Sequence, residues 1–488
     1  MTDAQAFGLL VLVLSVTGLA AVLSNRLTAR LQIPTPALFL AVAAVAAAVV
    51  PDLHSPPQRT VERLVTVALV VILFDGGMHI GWRRFRDAAV PITTVGVVGT
   101  FLTTGAIAVV AHVLFGLDWY LAVLLGAALA PTDPAVVFSV LGQRQLSGRS
   151  GTILEGESGA NDPVGIALLV SLLAAGGLGL SATVDVAGQF FLQMLVGGAV
   201  GVVGGRGLLW FIRAVPLPNE GLYPLRTLAS AFLLFGLGTV AHGSGFLAVF
   251  VAGILLGDGR APYKREIRRF HSALASLGEI VAFVVLGLTV DLSVIGRAEV
   301  WAPGLVLGVL LTALIRPLMV GLCLARVNLD RNERAFVLFA GLKGAVPILL
   351  GSFLLAADVP QAQRLYGIVV VVVAFSVVVQ GGLVPTAVRL LRLPMHTVEP
   401  EPWALGMRLR DEPDSVHQLR VVAGSHADGH TISEINASSS DVWVSLVVRS
   451  GQLVPVSGET ALRAGDDVMV LAHPSLRAEL EDSFRRPL

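Results

Sequence analysis

Pro131-Thr132-Asp133-Pro134 lies inside an apolar run, residues 119–141, that is otherwise long enough to cross a bilayer. Pro134 lacks a backbone donor and its ring clashes with the carbonyl four residues earlier, so a helix over this run must break. At ~1.5 Å per residue the break falls ~18 to 22 Å from the start of the run, slightly past mid-membrane. Lipid cannot hydrogen-bond the carbonyls and amides that such a break frees, so they must meet protein groups or line a wet cavity. An aspartate at that depth costs ~2.5 to 3.5 kcal/mol even on the lenient insertion scale. The stretch reads as the interruption of a membrane helix at a polar site.

The rest of the chain fits that reading. Its 488 residues are 55% hydrophobic and 14% charged, with mean hydropathy +0.79. Thirteen apolar blocks recur, near 7–23, 33–50, 61–80, 90–115, 119–141, 153–175, 186–212, 225–241, 244–257, 277–291, 299–325, 333–357 and 364–391. The first has no cationic stretch before it and no small-residue cleavage pattern, so it is expected to be a retained span and not a signal peptide. A formal net charge of zero gives no electrostatic reason to bind nucleic acid, and the single Cys323 excludes a disulfide framework.

Arg and Lys alternate sharply between connections. Those following odd-numbered spans hold nineteen, among them Arg83, Arg84, Arg86, Arg144, Arg149 and the cluster Lys264 to Arg269; the others hold only Arg59, Arg63, Arg297 and Arg364. The positive-inside rule then puts the N-terminus outside and everything after Arg389 in the cytoplasm of a cell-membrane, multi-pass protein.

Span 12 repeats the interruption of span 5. Gly341-Leu342-Lys343-Gly344-Ala345-Val346-Pro347 places two glycines, a lysine and a proline at matching depth. Spans 5 and 12 are seven apart, so equivalent spans run in opposite directions, as in an inverted repeat of spans 1 to 6 and 8 to 13. Interrupted segments at corresponding positions point to a transporter's binding site.

A short list of charged or ionisable residues falls within apolar spans. Arg206 and Asp75 are near enough to span ends to snorkel, and His242 and Glu279 are read as close to interfaces. Asp133, Glu157, Asp162, Arg316 and Lys343 have no such escape. On a helix Ser158 and Asp162 stand at i and i+4, as do Glu157 and Asn161, so these polar groups cover adjoining faces that can meet the break at Asp133. Carboxylate, hydroxyl and freed carbonyl oxygens suit a hard monovalent cation. A plain helix N-cap role for Ser158 or Asp162 leaves Glu157 without a function.

Beyond the spans, residues 394–415 form an acidic, Pro-rich linker, and residues 416–488 read as a small α+β domain with strands over Leu419 to Val422, Val442 to Arg449 and Val468 to Ala472 and a closing helix from Pro474 to Phe484. No Gly-x-Gly-x-x-Gly follows a strand there.

Thr132-Asp133-Pro134, Glu157-Ser158-Gly159-Ala160-Asn161-Asp162-Pro163, Arg316 and the Gly341 to Pro347 segment together resemble the monovalent cation/proton antiporter-1 family over residues 1–393. Phe74 to Met78 and Gly243 to Ala248 look similar to family segments too. The resemblance implies an all-α membrane domain of about thirteen helices with inverted repeats. It implies Asp162 as the exchanging carboxylate, Glu157 and Ser158 as helpers in cation ligation, Thr132 as a carbonyl donor, and a pair between Arg316 and Glu157. Lys343 stands where the family commonly carries Arg. The tail resembles the TrkA-C (RCK_C) regulatory domain, which implies a homodimer and a small ligand such as cyclic di-adenosine monophosphate or another nucleotide, and favours potassium over sodium.

The expectation is exchange of K+ or Na+ for H+ by competition at Asp162. Asn161 adds no second titrating charge, so exchange is expected to be electroneutral and one-for-one, with Asp133 compensating positive half-helix ends. No resident cofactor is implied, and the pattern is not that of an enzyme. Two alternatives come from other classes. A regulated cation channel is one, but the sequence has no filter motif such as Thr-Val-Gly-Tyr-Gly. An intramembrane serine protease would use Ser158 and His242, but explains neither Asp162 nor Arg316.

Overall fold

A computed structural model describes residues 35–49, 57–141, 144–146, 149–397, 416–437, 442–449 and 452–485. The expected first span, with Arg26 and Arg30, and most of the linker lie outside these. The chain divides into two compact units, Met1–Trp403 and Ala404–Leu488.

The first unit is helical. Its main helices are α1 (Thr35–Val49), α2 (Gln58–Asp87), α3 (Ala89–Phe115), α4 (Trp119–Leu129), α5 (Ala135–Leu141), α6 (Arg149–Ala175), α7 (Leu180–Ala214), α8 (Leu222–Val240), α9 (Gly245–Asp258), α10 (Lys264–Leu288), α11 (Ala298–Leu324), α12 (Arg331–Phe339), α13 (Ala345–Ala356) and α14 (Ala362–Leu390). Among the described residues eight are long and apolar enough to cross a membrane alone: α2, α3, α6, α7, α8, α10, α11 and α14. The protein is a multi-pass membrane protein. Exposed Val, Leu, Phe and Trp on α7, such as Phe191, Leu195 and Trp210, are what a lipid-facing helix shows, whereas α6 buries most of its length.

Two spans are split as the sequence predicts. Residues 130–134 separate α4 from α5, and residues 340–344 separate α12 from α13. Three helices also carry a π-helical turn: Thr94–Gly99 in α3, Leu311–Ile315 in α11 and Ser376–Gln380 in α14. The sequence announces none of these, although such turns recur at functional positions.

Two readings are corrected. The helix read as 277–291 begins thirteen residues earlier, at Lys264, because the amphipathic Arg-rich stretch before it continues the same helix. Glu279 therefore lies in the interior of α10 and not near an interface, with Oε1 buried and without a hydrogen-bond partner among the described residues. Asp75 does not snorkel: its side chain is 13% exposed and accepts from Ser272 Oγ at 3.0 Å. Arg206, by contrast, is exposed on α7.

A short antiparallel ribbon, β1 (Arg144–Leu146) with β2 (Met395–Thr397), joins the α5–α6 connection to the segment leaving α14. The second unit is a four-stranded antiparallel sheet of order β3-β6-β4-β5, from β3 (Val416–Arg420), β4 (Val442–Arg449), β5 (Gln452–Val454) and β6 (Asp467–Ala472). Alternating Val442, Val444, Val468 and Val470 form its core, closed by Leu480 and Phe484 of the C-terminal helix Arg477–Arg485. Buried Asp466 accepts from Arg449 Nε at 2.9 Å and Nη2 at 2.8 Å, so its charge is paired. The sequence reading missed the helix Ile432–Ala437; its capping box, Thr431 N to Glu434 Oε2 at 2.7 Å and Glu434 N to Thr431 Oγ1 at 3.3 Å, was the available signal.

Candidate functional site

The two helix breaks meet. Asp133 N donates to Leu342 O at 2.8 Å, so the first interruption hydrogen-bonds directly to the second. The approach is close because residues 341 and 344 are glycines: a Cβ at Gly344 would overlap the Asp133 carboxylate, and one at Gly341 the Arg316 guanidinium. Both charged side chains occupy the space that a larger residue would fill.

Each break leaves carbonyls at the end of its first half-helix, and each set is met by a cation. Lys343 Nζ, from the second break, donates to Ala130 O at 2.9 Å and Pro131 O at 3.0 Å in the first. Arg316, directly after the π turn of α11, donates from Nε to Leu338 O and from Nη2 to Val337 O, both at 3.1 Å, at the end of α12. Positive charge at the negative ends of half-helices is favourable, and carbonyls without partners in this layer would be costly. At the positive start of α5, Asp133 Oδ1 accepts from Ala135 N at 2.9 Å. Asp133 thus caps the half-helix that it precedes.

Helix α6 brings the remaining groups. Glu157 accepts from Arg316 through both oxygens, Oε1 from Nη1 at 2.7 Å and Oε2 from Nη2 at 3.0 Å, and Oε1 also accepts weakly from Thr132 Oγ1 at 3.4 Å. Arg316 and Glu157 are 5% and 1% exposed, so the pair is bidentate and dry. Asn161 grips Thr132 from both ends of its amide: Nδ2 donates to Thr132 Oγ1 at 2.8 Å, and Oδ1 accepts from Thr132 N at 3.3 Å. Ser158 and Asp162 are buried on the same helix, and Pro163 deprives the Gly159 carbonyl of its helical donor.

Asp162 differs from its neighbours. It is 7% exposed, and Oδ1 has no hydrogen-bond partner among the described residues. The charged groups acting on it are Asp133 and Lys343, one from each break. Glu157 has Arg316, Asp133 has its backbone cap, and Lys343 has two carbonyls. Of Asp133, Glu157 and Asp162, Asp162 is the one with ligand capacity left over; Glu279 of α10, within electrostatic reach of Asp133, is a second acid with an unpartnered oxygen among the described residues.

Of the residues singled out from the sequence, Thr132, Asp133, Glu157, Asn161, Arg316 and Lys343 are tied by direct hydrogen bonds to one another or to the two breaks, with Ser158 and Asp162 adjacent on α6. His242 is not among them: it sits at an exposed turn between α8 and α9 with a positive φ of 59°, whereas Ser158 is buried, and no hydrogen bond links the two. The sequence reading missed Thr312, Ser376 and Gln380. Ser376 Oγ accepts from Lys343 N at 2.9 Å, and Gln380 Nε2 donates to Phe339 O at 2.5 Å. A Ser and a Gln four residues apart in the Val-rich run of α14 were the only sequence signal.

The chain is similar to known proteins. Residues 11–390 match the sodium/hydrogen exchanger transmembrane family, and residues 416–485 match the TrkA-C domain. A K(+)/H(+) antiporter NhaP2 of Shewanella oneidensis is 32% identical over 494 residues, covering 99% of this chain and 84% of that protein. A K(+)/H(+) antiporter NhaP of Alkalimonas amylolytica is 34% identical over 392 residues, covering 80% of this chain and 68% of that one. In fold, the chain is similar to the sodium proton antiporter MjNhaP1 of Methanocaldococcus jannaschii, with TM-score 0.65 and 23% identity over 78% of this chain and all of that one.

Proposed function

The chain belongs to the sodium/hydrogen exchanger family, and on that premise we propose that it is a monovalent cation/proton antiporter that exchanges potassium, with sodium as the second choice, for protons at Asp162. One observation carries this reading: Asp162 is buried at the crossing of two broken helices and retains an unpartnered oxygen, while Asp133, Glu157, Arg316 and Lys343 beside it each have hydrogen-bond partners. A carboxylate in that position binds a proton or a metal cation, one excluding the other. Alternating exposure to the two sides then couples the flows.

The oxygen donors available to the cation are the Asp162 carboxylate, the Ser158 hydroxyl one turn before it and the carbonyl of Thr132, those of Ala130 and Pro131 being held by Lys343. Glu157 contributes by holding Arg316 and fixing α6 against α12, since both of its oxygens are already occupied. Asn161 serves as a neutral latch on Thr132. With no second titrating charge on that turn of α6, one elementary charge moves in each direction, and exchange is electroneutral.

Potassium is favoured because relatives named K(+)/H(+) antiporters align over both the membrane unit and the TrkA-C domain. We place the N-terminus outside and the TrkA-C domain in the cytoplasm from the Arg and Lys alternation. That domain binds a small regulatory ligand such as cyclic di-adenosine monophosphate or another nucleotide, and the working unit is a homodimer.

The test is exchange by the purified protein in liposomes under an imposed pH gradient, with K+, Na+ or Li+ outside. Wild type moves K+ and is insensitive to an imposed membrane potential, and Asp162→Asn is inactive. Full exchange by Asp162→Asn would overturn the assignment, and potential-dissipating cation flow without proton movement would make the protein a channel.

A further inference from the structure

We propose that Ser376 and Gln380 are positioning residues of the transport site, which set the place of Lys343 and through it the geometry of the first helix break. This rests on the antiport reading of the same site but concerns side chains with no assigned role in it.

The two residues bracket the π turn of α14 and are 2% and 3% exposed. Ser376 Oγ donates to Gln380 Oε1 at 2.8 Å and accepts from Lys343 N at 2.9 Å. Thr312, in the π turn of α11, shares its one hydroxyl proton between Gly308 O at 3.0 Å and the same Gln380 oxygen at 3.2 Å. Gln380 Nε2 donates to Phe339 O, the carbonyl that ends α12. Arg316 takes the two carbonyls before it, so Arg316 and Gln380 together cap that half-helix on three successive residues. Thr312, Arg316, Gly341, Lys343, Ser376 and Gln380 also line one void of about 10 Å³, so they form a single packed cluster.

The hydrogen bonds of this network converge on the second break. They hold Phe339 O on one side of it and Lys343 N within it, and the Lys343 ammonium reaches from there to Ala130 O and Pro131 O, next to Thr132 and Asp133. A side chain serving only to join two helices would have no reason to end on these atoms. Loss of the Ser376 hydroxyl leaves Lys343 N without its acceptor in a dry environment, and the backbone must shift to recover one. Any such shift is transmitted to the carbonyls held by Nζ and to the bond between Leu342 O and Asp133 N. Cation selection depends on oxygen positions at sub-ångström scale, so affinity is the quantity that responds.

The experiment measures apparent KM and maximal rate for K+ and Na+ in liposomes at one fixed pH gradient. Ser376→Ala is expected to raise the K+ KM about five-fold or more and to alter the K+/Na+ KM ratio, with maximal rate within about two-fold of wild type. Ser376→Thr, which keeps the hydroxyl, restores both. In a Lys343→Met background, Ser376→Ala has a smaller effect on cation-induced thermal stabilisation of the detergent-purified protein than in wild type, because the route through Nζ is gone and only the Leu342 O–Asp133 N bond still transmits the shift. Thr312→Val, isosteric and at the end of the network, gives a smaller KM shift in the same direction and decides the matter if Ser376→Ala does not fold. Unchanged KM values in the variants, a lower melting temperature with rate loss at constant KM, or additivity with Lys343→Met would each overturn the proposal. Inactive wild type or active Asp162→Asn would instead remove the antiport reading.

Discussion

At the first break, residues 130–134, the freed carbonyls accept from a lysine that belongs to the second; at the second, residues 340–344, those of α12 accept from Arg316 on α11 and Gln380 on α14. The first break supplies acid and hydroxyl, Asp133 and Thr132, and faces α6. The second supplies glycine and a cation. Two interruptions of the same length therefore carry different groups, one an acid and a hydroxyl beside α6 and the other the cation that holds the first one's carbonyls. Symmetry in the backbone does not require symmetry in function, and the side chains in and around each break decide which role it takes.

The difference can be broken most directly at Lys343. Lys343→Ala removes the cation that caps Ala130 and Pro131, and exchange should fall by about a hundred-fold or more in liposomes, the loss expected when buried groups are left unpaired. Transport near wild type would mean that the first break stands without help from the second. Lys343→Arg keeps a cation and should retain exchange at a reduced rate.

Next in size is the pair that links α6 to α11 and, through Arg316, to the end of α12. Glu157→Gln leaves Arg316 as an uncompensated buried ion, a loss of about 3 to 5 kcal/mol visible as a lower melting temperature in detergent. The double variant Glu157→Gln with Arg316→Met should recover part of that stability, since no charge is stranded. Stability unchanged in the single variant would show that the bidentate contact is not what fixes α6.

A smaller effect is expected from Gly344→Ala. Its methyl overlaps the Asp133 side chain as far as its Cβ, so the carboxylate must move or the two breaks must separate by about an ångström, at a cost of about 1 to 3 kcal/mol for overpacking. Gly341→Ala should behave alike through Arg316. If both variants matched wild type in stability and KM, the close crossing would not matter to function.

Asn161→Asp adds a charge at nearly constant volume and replaces the Nδ2 donor to Thr132 Oγ1 with an acceptor. It places a second carboxylate one residue before Asp162, and exchange should become sensitive to an imposed potential, read as a change in charge moved per cation.

Much of this was legible beforehand because it is expensive. Pro134 and the Gly341 to Pro347 segment forbid continuous helices, and Asp133, Glu157, Asp162, Arg316 and Lys343 are charges that lipid rejects, so each demands a partner. Thr312, Ser376 and Gln380 escaped notice for the opposite reason: neutral and short, they are tolerated in any apolar helix, and their importance comes only from what lies across from them in the fold. The π turns leave no trace in composition either. Glu279 was misplaced because the helix carrying it begins in an Arg-rich stretch that hydropathy discounts, which shows that apolar length marks where a helix meets lipid and not where it starts.

The ribbon of β1 and β2 has a mechanical meaning. It is made by main-chain bonds between the chain just ahead of α6, the helix of Asp162, and the chain just past α14, the helix of Ser376 and Gln380. Tension at the exit of the membrane unit therefore reaches the helices that carry Asp162 and Ser376 at once, through a clasp of main-chain bonds that only a proline, lacking the N–H, would open.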